Sequence, residues 1–101
     1  MLGKKQTVQQ KTARVSCVAP GAKEVFLVGT FNEWKPGLRP MRRRSDGKWL
    51  AELNLPPGRY EFKFVVDGHW CYEPGFPDQA GLGEGLVLNS LGTSNRVLEV
   101  R

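Results

Sequence analysis

From Thr12 onward, apolar and polar residues follow a two-residue period that is repeatedly cut by turn residues, which predicts strands rather than helices. In ARVSCVAP, Ala13, Val15 and Cys17 alternate with Arg14 and Ser16, a half-buried strand ending at Pro20 and Gly21. KEVFLVGTF is continuously apolar, as a sandwich-core strand would be, and it runs into FNEWKPG, a loop of Asn, Pro and Gly. MRRRS leads to Asp46-Gly47, a strong hairpin signal. KWLAELNL then puts Trp49, Ala51, Leu53 and Leu55 on one face, so Trp49 is expected in the core. RYEFKFVV, Asp67-Gly68 and HWCY form the next pair of elements. From Glu73 to Ser90 the period dissolves into a long, Gly- and Pro-rich loop whose one apolar run is Leu86, Val87 and Leu88. SNRVLEVR closes the chain as a final strand, with Val97 and either Leu98 or Val100 packing inward. Turn signals at this spacing predict a small Greek-key sandwich over residues 12–101, preceded by a polar tail at 1–11 that reads as disordered.

The hairpin in FKFVVDGHW carries the sharpest expectation. If Asp67-Gly68 is a two-residue type I′ loop, Val66 faces His69, Val65 faces Trp70 and Phe64 faces Cys71. Trp70 then shares a face with Lys63, while Tyr60, Phe62, Phe64, Val66 and Cys71 gather on the other, which their aromatic area marks as the core side. The pairing exposes a tryptophan beside a lysine on the outside of a sheet. A three-residue loop would reverse this.

Composition narrows the possibilities. A chain of 101 residues makes one domain without room for a second lobe and the cleft between. No stretch is apolar for long enough to cross a membrane, and the first residues lack the apolar run of an export signal, so the expected address is cytoplasmic. In that reducing setting Cys17 and Cys71 are expected as free thiols. Two Cys and one His fall short of a structural zinc site, and no cofactor is expected. The net charge of +5 would suit a polyanion, but only Arg42, Arg43 and Arg44 are clustered, and in a strand they alternate faces, as a solvated sheet edge does. Nucleic acid is therefore not expected as a partner. Catalysis finds no constellation: Asp67, Glu73, Asp78 and Glu84 lie in a turn or loop with no phase pairing any two, and His69 sits beside a tight turn.

Three blocks in order, VFLVGTFNEW, GRYEFKFVVDGHW and LGTSN, resemble the carbohydrate-binding module of family 48, the glycogen-binding domain of AMP-activated protein kinase β subunits and of branching and debranching enzymes. The likeness runs from about Val15 to Val100. It implies an all-β, early-set immunoglobulin-like β-sandwich that binds α-1,4-glucan, as glycogen, starch or maltooligosaccharide, without cleaving it. By the same resemblance Trp34 and Trp70 are the platform tryptophans, Lys63 lies between them, and Leu91, Thr93 and Asn95 contribute from the last loop. A glycan-active enzyme or a kinase is the protein partner that the family implies. The segment between Trp70 and Leu91 looks longer here than in the kinase-associated members.

These roles suit the residue types. The C–H face of a glucose ring fits an indole face, and covering about 50 Å² of it yields on the order of 1 kcal/mol. Lys63 and Asn95 can donate to sugar hydroxyls, Thr93 can donate or accept, and Leu91 at a loop tip would fill the concave side of a curved glucan. The plainer readings are that Lys63 is a solvated strand lysine, Leu91 a core residue opening the last strand, and Asn32 a shaper of the Trp34 loop. The alternative function is a protein-interaction module of the same fold with a decayed sugar site, using the 73–90 loop as its contact.

Overall fold

In a computed structural model, which describes residues 10–76, 78–81 and 83–101, the chain forms eight strands and a single 3₁₀ turn. Strand β1 spans Lys11–Val18, β2 Val25–Gly29, β3 Arg42–Arg43, β4 Lys48–Leu55, β5 Gly58–Val66, β6 His69–Cys71, β7 Leu86–Leu88 and β8 Ser94–Val100. Residues 1–9 of the expected tail lie outside the described residues, and Lys11 already belongs to β1.

Two antiparallel sheets result. One has the order β1-β4-β3, and the other the order β2-β5-β8-β7 with β6 also paired to β5. The expectation of an all-β sandwich is met. Between the sheets lie Val15, Cys17 and Ala19 from one side, and Val25, Leu27, Phe62, Phe64 and Cys71 from the other. Trp49 is buried among them, as its phase on β4 required, and its indole N–H donates to the Ala19 carbonyl at 2.9 Å. The T-shaped contact of Phe62 and Phe64, with ring centroids 5.7 Å apart, fills the centre with large apolar area. Cys17 and Cys71 are both free and buried. Arg42 and Arg43 form an exposed edge strand, the solvated edge that their alternation suggested.

Two details differ from the sequence reading. On β8, Leu98 packs against the core and Val100 is buried, whereas Val97 takes the alternate phase on the outer face, opposite Glu61. A run of three apolar positions in one strand cannot place all three on one side. Within the 73–90 segment, Leu86–Leu88 becomes β7, which pairs with β8 and forms the sheet edge.

Candidate functional site

The hairpin β5–β6 fixes the site's geometry. Val66 pairs with His69, Val65 with Trp70 and Phe64 with Cys71, the two-residue loop that the parity expectation needed. Asp67 at φ 49° and Gly68 at φ 86° give the pair of positive φ values of a type I′ turn. The turn is tied down by Asp67, whose Oδ1 accepts the amides of Lys23 and Glu24, each at 2.9 Å. Those bonds, that from Glu24 foremost, hold the carboxyl below its ordinary range. Trp70 therefore stands on the outer face of the second sheet, in a row with Val65 and Phe26, and is 37% exposed.

Lys63 shares that face, as parity required, but it is not solvated. Only 4% exposed, it donates from Nζ to Asp78 Oδ1 and Oδ2 at 2.8 and 2.9 Å and to Thr93 Oγ1 at 2.7 Å. The reading of a solvated strand lysine is overturned, because the segment after β6 brings Asp78 onto Lys63. Ser94 locks that segment, donating its amide to the Gln79 carbonyl and its hydroxyl to the Gly81 carbonyl. Val28, paired with Lys63, and Val65 are buried on this same face, so the sheet is covered there on both sides.

From Lys63 a polar network continues to the last loop. Asn89 Nδ2 donates to Thr93 Oγ1 at 2.7 Å and to Asn95 Oδ1 at 2.9 Å, and Asn95 Nδ2 donates to Glu61 Oε1 at 2.9 Å. Thr93 Oγ1 thus accepts from both Lys63 and Asn89, and among the described residues its O–H is not used as a donor. Asn89 also builds the loop, since its Oδ1 accepts the amides of Leu91 and Thr93. Leu91 is thrown into solvent at 87% exposure, which removes the core reading for that side chain. Asn95 is buried. Among the described residues, no buried side-chain nitrogen or oxygen lacks a partner.

Trp34 lies at the end of β2, past the 3₁₀ turn Thr30–Asn32. It is half-buried rather than openly exposed, because the loop folds back: its amide donates to the Gly29 carbonyl at 2.9 Å. Asn32 shapes this loop, accepting the Gly29 amide and donating to the Leu27 carbonyl. Gly29 has no alternative here, since a Cβ would meet the Glu61 carbonyl oxygen at 2.4 Å. Glu33 and Trp34 both adopt left-handed backbone, at φ 58° and 59°, a conformation that costs a non-glycine residue about 1–2 kcal/mol and is held by the surrounding bonds. Gly29, where β2 ends and the Trp34 loop begins, pairs with Phe62, and Trp70 pairs with Val65, so the start of that loop and Trp70 are offset by roughly 10 Å along the strands and roughly 10 Å across them.

Lys63 and Thr93 thus touch directly, Asn95 joins them through Asn89, and Leu91 and Trp70 flank the network. Trp34 lies in the loop that follows β2 of the same sheet. Sequence reasoning missed Asp78, Asn89 and Glu61. Asn89 had a readable signal, an Asn ahead of Leu-Gly-Thr in a turn; Asp78 sits in irregular chain that gives none.

Comparison with known proteins decides the family. The family model described as "Glycogen recognition site of AMP-activated protein kinase" matches residues 17–100. The chain belongs to this family. This glycogen-recognition domain is a carbohydrate-binding module and not a catalytic domain, and the interaction-module alternative is not favoured. It is 38% identical over 81 residues, 80% of its length, to 5'-AMP-activated protein kinase subunit beta-1 of Sus scrofa. The match to the Homo sapiens beta-1 subunit is also 38% over 81 residues. To the beta-2 subunit of Mus musculus it is 34% over 93 residues, 92% of the chain. The glycogen-recognition domain spans 57% of the pig relative's length, 26% of the human one's and 31% of the mouse one's. No helix among the described residues is long and apolar enough to cross a membrane.

Proposed function

We propose that the domain holds an α-1,4-linked glucan chain against the outer face of its second sheet, with Trp70 and Trp34 as the stacking surfaces and Leu91 in the concave side of the glucan. Thr93 donates its unused O–H to a sugar hydroxyl, and Asn95 lines the same face. Lys63 serves the site by holding Thr93 and Asp78 in place. The observation that supports this reading best is the position of Trp70, half-open on the same face as the Lys63–Thr93–Asn95 network. A network with its partners already satisfied is preorganised, so little ordering is required when sugar arrives.

The relatives are kinase subunits by name, and we propose that the domain brings a kinase or a glycan-active enzyme to cytoplasmic glucan. Sedimenting glycogen with the purified chain, at low and at physiological ionic strength, tests the reading. A neutral glucan releases no counterions, so the bound fraction should be nearly the same at both, and Arg43→Ala should leave it unchanged. A polyanion site would instead weaken about tenfold or more for a few phosphate contacts. Failure of the chain to sediment with glycogen at either salt would refute the proposal.

A further inference from the structure

A groove of about 600 Å³ opens beside Trp70. Its walls are Trp70 and Phe76, and Asp67, His69 and Asp78 line it with polar groups. Phe76 is 56% exposed, an unusual state for a ring of its size, and it is presented by a built turn. In Glu73-Pro74-Gly75-Phe76 the Phe76 amide donates to the Glu73 carbonyl at 3.2 Å, with Pro at the second position and Gly75 at φ 91° at the third, the requirements of a type II turn. The turn is anchored to β8, since Arg96 pairs with the Glu73 carboxylate and donates from Nε to the Tyr72 carbonyl. An apolar ring is therefore held outward by proline, hydrogen bonds and an ion pair.

We infer that this groove is a second glucosyl subsite, in which Phe76 stacks on a further residue of the same α-glucan chain that lies on Trp70. The inference rests on the glucan-binding reading of the platform, with which the groove is continuous through Trp70 itself. An aromatic wall with acceptors beside it is the chemistry of a neutral, hydroxyl-rich ring: the C–H face meets the phenyl face, and the hydroxyls donate to carboxylate oxygens. Among the described residues, Asp67 Oδ2 has no partner, whereas Oδ1 is occupied by two backbone amides. Asp78 uses each oxygen once, toward Lys63, and each retains a lone pair. Among the described residues neither Lys nor Arg lines the groove, and Lys63 behind it is already paired with Asp78, which argues against a phosphate or an acidic peptide as the occupant. A ring fixed in advance loses little freedom on binding, so even one stacking contact adds affinity.

A chain-length titration tests the subsite. Maltotriose, maltoheptaose and β-cyclodextrin are titrated into the parent and Phe76→Ala, with thermal unfolding run in parallel. Because Phe76 is exposed on a turn, the variant is expected to fold as the parent does. The parent should bind maltoheptaose more tightly than maltotriose. Phe76→Ala should lose about three- to tenfold for maltoheptaose, the scale of one aromatic contact, while keeping the parent's affinity for β-cyclodextrin, which closes on itself and cannot extend into the groove. Unchanged maltoheptaose binding in Phe76→Ala would overturn the subsite and leave the platform reading intact. Equal losses for maltoheptaose and β-cyclodextrin would also overturn it, placing Phe76 in the primary platform. A parent that binds none of the three would refute the platform reading itself.

Discussion

Lys63, 4% exposed on the face of a sheet, is held by both carboxylate oxygens of Asp78, fifteen residues further along the chain. This pair closes the irregular segment over β5 and so determines which side chains the outer face presents. Breaking a buried pair from one side strands a charge, which costs about 3–5 kcal/mol when both partners are fully buried. The Asp78 side chain is about a quarter exposed, so Asp78→Ala should cost less, about 2–3 kcal/mol. Lys63→Met keeps the stem's packing and should cost about 1 kcal/mol. The double variant should then be at least about 1 kcal/mol more stable than the sum of the two single changes predicts, measured by urea unfolding. Additive effects would mean that the pair is solvated in solution.

Asp67 predicts a pH effect on stability of known sign. Its carboxyl is held below the ordinary 3.8, chiefly by the Glu24 amide, against an opposing effect of burial that is larger than the further lowering by the Lys23 amide. A lowered folded value means that the charged form contributes stability above pH 3.8, and the contribution is lost as pH falls through the folded value. Asp67→Asn keeps an acceptor for both amides but does not titrate. The urea midpoint should therefore fall less steeply below about pH 4 in Asp67→Asn than in the parent. Identical acid slopes would remove Asp67 as a contributor.

The outcome for the fold and the site follows from what periodicity can carry. The phase of β4 placed Trp49 inside, and the Asp67-Gly68 loop placed Trp70 outside, because alternation and a two-residue turn are local properties. The burial of Lys63 was not legible, because Asp78 reaches it across a segment with no period. The half-burial of Trp34 has the same origin: it depends on left-handed backbone at two successive non-glycine residues, which no local preference announces. The resemblance supplied the candidate site residues, and the structure adds the bonds that connect Lys63, Thr93 and Asn95.

The two thiols should be silent in the native protein. Burial, followed by the nearby Cys71, pushes Cys17 up to about 12, and burial also raises Cys71. The reactive thiolate is therefore scarce at pH 8. Titration with a chromogenic disulfide should find almost no reaction in native protein and two groups per chain in guanidinium. Because the folded value of Cys17 is raised, its contribution to stability is present below pH 9.0 and declines as pH rises toward about 12. Fewer than two thiols after denaturation, without reductant, would contradict the free state of the pair.

The most direct measurement for the glucan platform is calorimetric titration of maltoheptaose into the parent, Trp70→Ala and Trp34→Ala, each checked for cooperative thermal unfolding. Trp70 is more than a third exposed, so truncating it should cost the fold roughly 1 kcal/mol and leave unfolding cooperative. A site with millimolar affinity has only about 4 kcal/mol of binding free energy in total, and Trp70 and Trp34 form the platform on which the Phe76 contact depends, so losing either tryptophan should take binding below detection. The account predicts saturable binding in the parent and none measurable in either folded variant. A folded Trp70→Ala that binds maltoheptaose as tightly as the parent does would contradict it.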